Sequence, residues 1–155
     1  MVDSPTMLVI LANLSPFSEQ IGGIALGLSL GLDPIYVLLL SLLINCLLFF
    51  PIYFGLRIFY RRFFSKIGLF NKYVEKTRMK GKPYVDKYGI LGLTAFIALP
   101  TPLTGTYTAS ILSWFLGLDW KRSFIAIVLG STIGALIIMS ASLGFIEILK
   151  YLVSV

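Results

Sequence analysis

Apolar residues fall along this chain in six blocks, and the breaks between them come in two kinds. Residues 7–14 are apolar, Ser15-Pro16-Phe17-Ser18-Glu19-Gln20 interrupts, and 21–32 are apolar again. Residues 34–57 then run unbroken, long enough for a helix of about 36 Å. The pattern returns after a polar stretch. Residues 89–99 are apolar, the Pro100-Thr101-Pro102-Leu103-Thr104-Gly105 stretch interrupts, 107–118 are apolar, and 123–143 run unbroken. Each half of the chain thus predicts a broken apolar segment followed by an intact one. The intact ones are spanning helices. The broken pieces, at about 12 to 18 Å each, are roughly half as long as a bilayer core is thick.

Between the halves, residues 58–80 change period. Phe59, Phe63, Ile67, Phe70 and Val74 recur at spacings of three and four, with Arg61, Arg62, Lys66, Lys72 and Lys76 on the remaining positions. That predicts an amphipathic helix lying among lipid headgroups. Gly81-Lys82-Pro83 is expected to end it, because proline lacks the N–H and disfavours helix just before it. Residues 144–155 read as an apolar tail carrying Glu147 and Lys150.

The halves also share spelling. Leu30-Gly31-Leu32-Asp33 recurs as Leu116-Gly117-Leu118-Asp119, 86 positions later. Ser15-Pro16-Phe17-Ser18 and Thr101-Pro102-Leu103-Thr104 stand at the same offset. Ala12/Ala98 and Leu26/Leu112 add identities, and Asn45 and Cys46 fall opposite Ser131 and Thr132. One unit used twice explains these coincidences. Two interfacial turns, in which Gly closes a helix and Asp opens the next, explain the quartets alone. The repeat reading divides the chain into repeat one (5–57), a basic linker (58–88), repeat two (89–143) and the tail (144–155).

Composition settles the solvent. Hydrophobic residues make up 57% of the 155 and charged ones 13%, half the usual share. Mean hydropathy is +0.92. This is the composition of an all-α integral membrane protein. With no His in the chain, histidine metal sites and histidine-based catalysis are excluded, and a single Cys46 allows no intrachain disulfide. No metal or cofactor is expected. Neither paired intramembrane acids nor a Ser–Lys pair offers a nucleophile with its base, so an intramembrane enzyme is not expected. No basic n-region precedes the first apolar run.

Charge orients the chain. Ten of the 13 basic residues lie between Arg57 and Lys87, opposed there only by Glu75 and Asp86. A short basic loop between membrane segments reads as cytoplasmic and apposed to anionic lipid, not as a nucleic-acid site. If both broken segments are re-entrant hairpins, 12 of the 13 basic residues are cytoplasmic; if both cross, 11 are. The count leans toward re-entry, with loop 57–88 inside and both termini outside the plasma membrane. A single crossing then separates the hairpins, so they insert in opposite senses as an inverted repeat with their tips near the midplane.

The breaks hold the candidate chemistry. Irregular backbone at membrane depth is tolerated only where it is buried in protein or lines a wet cavity. Ser15 and Thr101 can each cap a new half-helix, with Pro16 and Pro102 in the first helical position. Half-helix amino termini aimed at mid-membrane suit an anion, a phosphate or a carboxylate. Glu19 is the one acid within a broken or spanning segment. It either faces a cavity and binds a proton or cation, or rests in the first turn of its own half-helix. Ser18, Gln20, Asn45, Pro100, Thr104, Gly105, Thr106, Tyr107 and Ser110 complete the candidate set. For any one hydroxyl, bonding back to its own helix is the simpler role, and for Gly22, Gly23, Gly105, Gly130 and Gly134 close helix packing is.

From Ser15 to Leu143 the chain resembles the small multidrug export family, a branch of the wider DedA-like membrane proteins. The resemblance is carried by Glu19 with Gly22-Gly23, by the basic loop, by Lys87-Tyr88-Gly89-Ile90-Leu91-Gly92-Leu93, and most specifically by the Pro100 to Ser110 stretch. It implies facing re-entrant hairpins and transport of a small amphipathic, lipid-linked or drug-like substrate. Relatives in the wider group are associated with lipid scrambling or polyprenyl-phosphate flipping, which stands as an alternative beside a non-transporting assembly role. The chain departs from the family where an Arg usually follows the glutamate by two positions and Ile21 stands instead. The wider group often carries arginines in its second hairpin, and none lies between Gly89 and Asp119. Phosphate recognition would rest on half-helix N–H groups alone. Expected partners are membrane lipids and the substrate. The small enclosed volume makes a homodimer plausible.

Overall fold

The computed structural model describes residues 3–62, 68–100 and 105–153. Among them the chain forms six helices and no strand: α1 Ser4–Leu14, α2 Glu19–Ser29, α3 Pro34–Arg62, α4 Gly68–Ala98, α5 Thr106–Phe115 and α6 Trp120–Val153. Stretches Pro34–Tyr60 of α3 and Trp120–Ile148 of α6 are long and apolar enough to span a bilayer. The two helices pack antiparallel. Phe54 of α3 meets Trp120 of α6 (ring centroids 6.0 Å apart), Phe50 meets Phe124 (5.0 Å), and Val37 packs with Ala135 and Ile138.

The two Leu-Gly-Leu-Asp quartets adopt one geometry. Gly31 (φ 76°) and Gly117 (φ 74°) are left-handed residues just past α2 and α5. The Gly31 N–H donates to Leu28 O and the Leu32 N–H to Gly27 O, both at 3.1 Å. Gly117 and Leu118 donate likewise to Trp114 O (3.0 Å) and Ser113 O (2.9 Å). This double closure satisfies the orphan carbonyls of a helix end and needs the left-handed dihedral that glycine alone adopts cheaply. The Asp that follows starts the next helix. Asp33 Oδ1 accepts the Tyr36 N–H at 2.9 Å and Asp119 Oδ2 the Lys121 N–H at 3.2 Å.

Three boundaries differ from the sequence expectation. The helix expected to stop at Gly81-Lys82-Pro83 continues to Ala98, and the change of direction falls at Gly89 (φ 22°, ψ −105°). One proline costs the helix a donor without forcing a stop, whereas the Gly89 dihedrals are open only without a Cβ. Ser15 does not open a half-helix: it closes α1, and α2 begins at Glu19, so Pro16 lies in the turn rather than at the first helical position. The tail from 144 is no separate element, because α6 runs through it to Val153. Thr101, Pro102, Thr104 and Lys66 lie outside the described residues, as does the Arg61 side chain.

Two apolar clusters close the ends of the bundle. Ile24, Leu28, Val37, Ala135 and Ile138 form one. Phe49, Tyr53, Leu93, Ile97, Ala109, Trp114 and neighbours form the other. Outside them Ile35, Leu39, Leu43 and Leu47 line an exposed stripe of α3, and Ile125, Leu129, Ile133 and Leu136 one of α6. Such continuous apolar surface belongs against lipid. α4 and α6 approach backbone to backbone at Gly130, where an added Cβ would stand 2.6 Å from Ile97 Cβ and 2.8 Å from Thr94 O.

Two glycines in open space give opposite predictions. Gly31→Ala is expected to destabilise the protein in micelles by about 1 kcal/mol, since no Cβ fits its dihedral comfortably. Gly55→Ala, inside α3 with nothing near the new methyl, is expected to stabilise it by about 0.5–1 kcal/mol. Chemical unfolding of the two variants beside wild type checks the signs.

Candidate functional site

Between the two apolar clusters lies a layer of buried polar side chains. Asn45, eleven residues and about 16 Å along α3 from Pro34, is its centre. Asn45 Nδ2 donates to Ser41 O (2.8 Å) and Asn13 Oδ1 (3.3 Å), while its Oδ1 accepts the Thr106 hydroxyl at 3.0 Å. Asn13 Nδ2 in turn donates to Val9 O (2.8 Å) and Ser41 Oγ (3.1 Å). One hydrogen-bonded chain therefore joins α1, α3 and α5. All four side chains are at least 99% buried.

Glu19 joins α2 to the same layer. Its Oε2 accepts the backbone N–H of Thr106 at 2.6 Å. Thr106 is the first residue of α5, preceded by Gly105 in extended conformation. The carboxylate thus satisfies an orphan donor at the start of the opposite half-helix, where the dipole favours negative charge. Gly105 makes the approach feasible: its φ of −79° is ordinary, but a Cβ there would fall inside the Glu19 carboxyl group. Glu19 is also the one described non-glycine residue with positive φ, 40°. Backbone strain of this kind costs of order 1–3 kcal/mol and persists only where the surroundings impose it. A second clasp joins the tips where the Tyr107 hydroxyl donates to Leu14 O at 2.7 Å.

The remaining candidates divide by partner. Ser18 Oγ donates to Ala12 O (2.7 Å) and Ser15 Oγ accepts the Phe17 N–H (3.4 Å), so both hold the first turn together. Ser110 Oγ returns to Thr106 O at 2.6 Å, bonding within its own helix. Pro16 and Pro100 are exposed, as are Arg62, Lys72 and Lys76, which stand on α3 and α4 away from the polar layer. Gln20 and Ser131 are buried beside Glu19, and Gln20 Nε2 and Ser131 Oγ have no hydrogen-bond partner among the described residues. Both line a cavity of about 30 Å³ with Glu19, Asn45, Thr106 and Gly134. Its size is that of a water or a small ion, far below the several hundred Å³ of a drug-sized pocket.

Asn13, Ser41 and Ser131 were not among the sequence candidates. Asn13 and Ser41 each have apolar neighbours on both sides, and Ser131 stands beside Thr132 within an apolar run. For Ser131 the signal was its position opposite Asn45 at the offset of 86. For Asn13 it was Gly23, which leaves room for an amide where a Cβ would overlap it.

The family described as "Putative small multi-drug export protein" matches residues 19–137, more than half of the chain. The chain belongs to this small multidrug export family. The match opens at Glu19 and takes in Gln20, Asn45, Gly105, Thr106 and Ser131. With two apolar helices of spanning length, membership marks a membrane protein. No curated protein and no solved structure matches the chain.

Gly105→Ala in this exporter-family protein is expected to cost about 1–3 kcal/mol, the usual penalty for overpacking a buried contact. In a Glu19→Ala background the same substitution should be nearly neutral, since the group it overlaps is gone. Equal costs in both backgrounds would mean that the carboxylate does not sit on α5.

Proposed function

We propose that the protein is a small exporter of the plasma membrane that moves an amphipathic, lipid-linked or drug-like substrate, with Glu19 as the proton-coupling group. The contact between Glu19 Oε2 and the Thr106 N–H carries this reading. It holds the two hairpin tips together through one titratable side chain. As a carboxylate, Glu19 caps α5 and keeps the tips closed. Protonation removes the charge that the α5 dipole favours and weakens the acceptor. The tips then part, and the water-sized cavity widens into a path. Supporting it are the buried orphan polar atoms of Gln20 and Ser131, which the opened state would hydrate.

In this reading α1–α2 and the 87–115 hairpin enter from opposite faces as inverted re-entrant repeats, and the basic end of the bundle is cytoplasmic. The two quartets with one turn geometry and the head-to-head meeting of the α2 and α5 starts support the repeat. A phosphate is the less favoured cargo for the central site: the α5 amide that would bind it is taken by Glu19, and no arginine among the described residues lines the cavity. The protein performs no chemistry on its cargo.

Flux of a lipophilic cationic dye into proteoliposomes under an imposed pH gradient tests the coupling. Glu19→Gln is neutral like the protonated acid and cannot titrate, so it no longer switches between charged and uncharged forms. Its gradient-driven flux should fall at least tenfold; flux equal to wild type removes Glu19 from the mechanism. Wild-type protein that moves neither dye, ion nor fluorescent lipid would point to the assembly role instead.

Topology has its own test. In a Cys46→Ser background, single cysteines at positions 33, 87 and 120 should label from the outside, the inside and the inside. A cysteine at 13, where Asn13 is wholly buried, should resist labelling from both. Position 120 labelled from outside would replace re-entry with crossing.

A further inference from the structure

A second polar site lies at the end of the bundle where the Pro34–Tyr60 and Trp120–Ile148 spans finish together, well away from Glu19. Tyr53, Arg57, Tyr60, Arg78, Trp114 and Asp119 are among the residues lining a cavity of about 440 Å³ there. Its floor is the turn after α5. Arg78 is fixed on it: Nη2 donates to Trp114 O at 3.0 Å and Nε to Phe115 O at 3.3 Å, so its charge sits on the carboxyl end of the α5 dipole. The guanidinium carbon lies 5.5 Å from the Trp114 ring centroid and 6.0 Å from that of Tyr60. Nη1 of Arg78 has no bond to the described residues. Arg57 is exposed, and no described carboxylate pairs with either arginine. Asp119 has one oxygen occupied by the Lys121 N–H.

The cavity continues into grease. Leu118 lines both it and a groove of about 240 Å³ between α4 and α5, whose other walls include Gly92, Leu93, Phe96, Leu112 and Leu116. Nothing stands within 4 Å of a Cβ built at Gly89, and only Tyr88 Cβ, at 3.3 Å, near one built at Gly92. Both tryptophans of the chain, Trp114 and Trp120, mark this end, the level at which aromatic belts meet headgroups.

We propose that this composite cavity binds one anionic phospholipid, its phosphate between Arg57 and Arg78 and an acyl chain in the α4–α5 groove beyond Leu118. Paired guanidinium groups are the side chains best matched to phosphate oxygens. An apolar groove opening from the same point suits a ligand with a chain attached, and a free phosphate would leave it unused. The site stands apart from the transport reading and does not depend on it. It differs from the diffuse attraction of the basic loop in being a defined pocket with two ends of opposite character.

Thermal unfolding of the purified full-length protein in zwitterionic micelles, titrated with dioleoyl phosphatidylglycerol, tests it. A saturable rise in midpoint is expected with this lipid and none with phosphatidylcholine or with inorganic phosphate at equal concentration. Arg57→Gln, at an exposed position, should weaken the half-saturation point at least tenfold. Gly92→Leu, which fills the groove, should do the same. Lys72→Gln/Lys76→Gln should leave it within twofold, and so should Glu19→Gln, which separates failure here from failure of the coupling role. Equal responses to the two lipids, or loss on changing Lys72 and Lys76 with none on changing Arg57, would overturn the proposal. A full response to phosphate alone would assign a free-anion site and overturn the lipid.

Discussion

The Glu19–Thr106 hydrogen bond is the contact on which the centre of the molecule depends. A helix that starts inside a membrane protein brings N–H groups that no water can reach, and each costs several kcal/mol if left unpaired. A buried carboxylate brings a penalty of its own, about 2.5–3.5 kcal/mol at the middle of a membrane helix on insertion scales. Each of these liabilities cancels part of the other. The positive φ at Glu19 and the missing side chain at Gly105 are the local concessions that let the two meet.

Around this contact the bundle is layered along its axis, apolar at both ends and polar between. The clusters at Phe49 and at Ile24 fix the heights of α3 and α6, and the asparagine chain fixes the hairpins against them. Asn45 spends its amide on three partners from three different helices, Ser41 of its own, Asn13 of α1 and Thr106 of α5. Satisfied networks of this kind specify one arrangement; half-satisfied ones loosen it. The orphan atoms of Gln20 and Ser131 sit on one side of the layer only, beside the carboxylate. Among the described residues, hydrogen bonding is therefore complete on the Asn13 side and incomplete on the Glu19 side.

Much of this organisation was legible because it rests on local rules. Both breaks follow from prolines in apolar runs, and each Gly-Leu-Asp turn follows from glycine at a helix end and aspartate at a helix start. Where rules compete over distance, the sequence misled. Ser15-Pro16 has the spelling of a helix start, yet Ser15 closes α1, and α2 waits until the residue whose side chain reaches α5. Pro83 has the spelling of a stop, but the bend goes to Gly89, whose dihedrals other residues resist. Asn13, Ser41 and Ser131 matter through the register of α1, α3 and α6, which no single stretch encodes. The anion-binding helix start was expected at each tip. At α5 the anion is the chain's own Glu19, a pairing across 87 positions.

That internal pairing bears on the scale of any coupling. A charge-assisted hydrogen bond contributes about 1.5–3 kcal/mol net, and one elementary charge crossing a potential of 100 mV releases about 2.3 kcal/mol. A single proton that crossed the full potential by way of Glu19 would thus carry energy of the same size as the contact it would loosen. Had the tips been joined by several such caps, one proton could not part them; had they met through apolar packing alone, a proton would have nothing to act on. The Tyr107–Leu14 and Thr106–Asn45 bonds join α5 to α1 and α3 through hydroxyls donating to a carbonyl and an amide oxygen, with no carboxylate in either. Under the proposed coupling, one carboxylate between two helix starts is the arrangement that would give protonation a mechanical consequence and let closure return once the proton leaves.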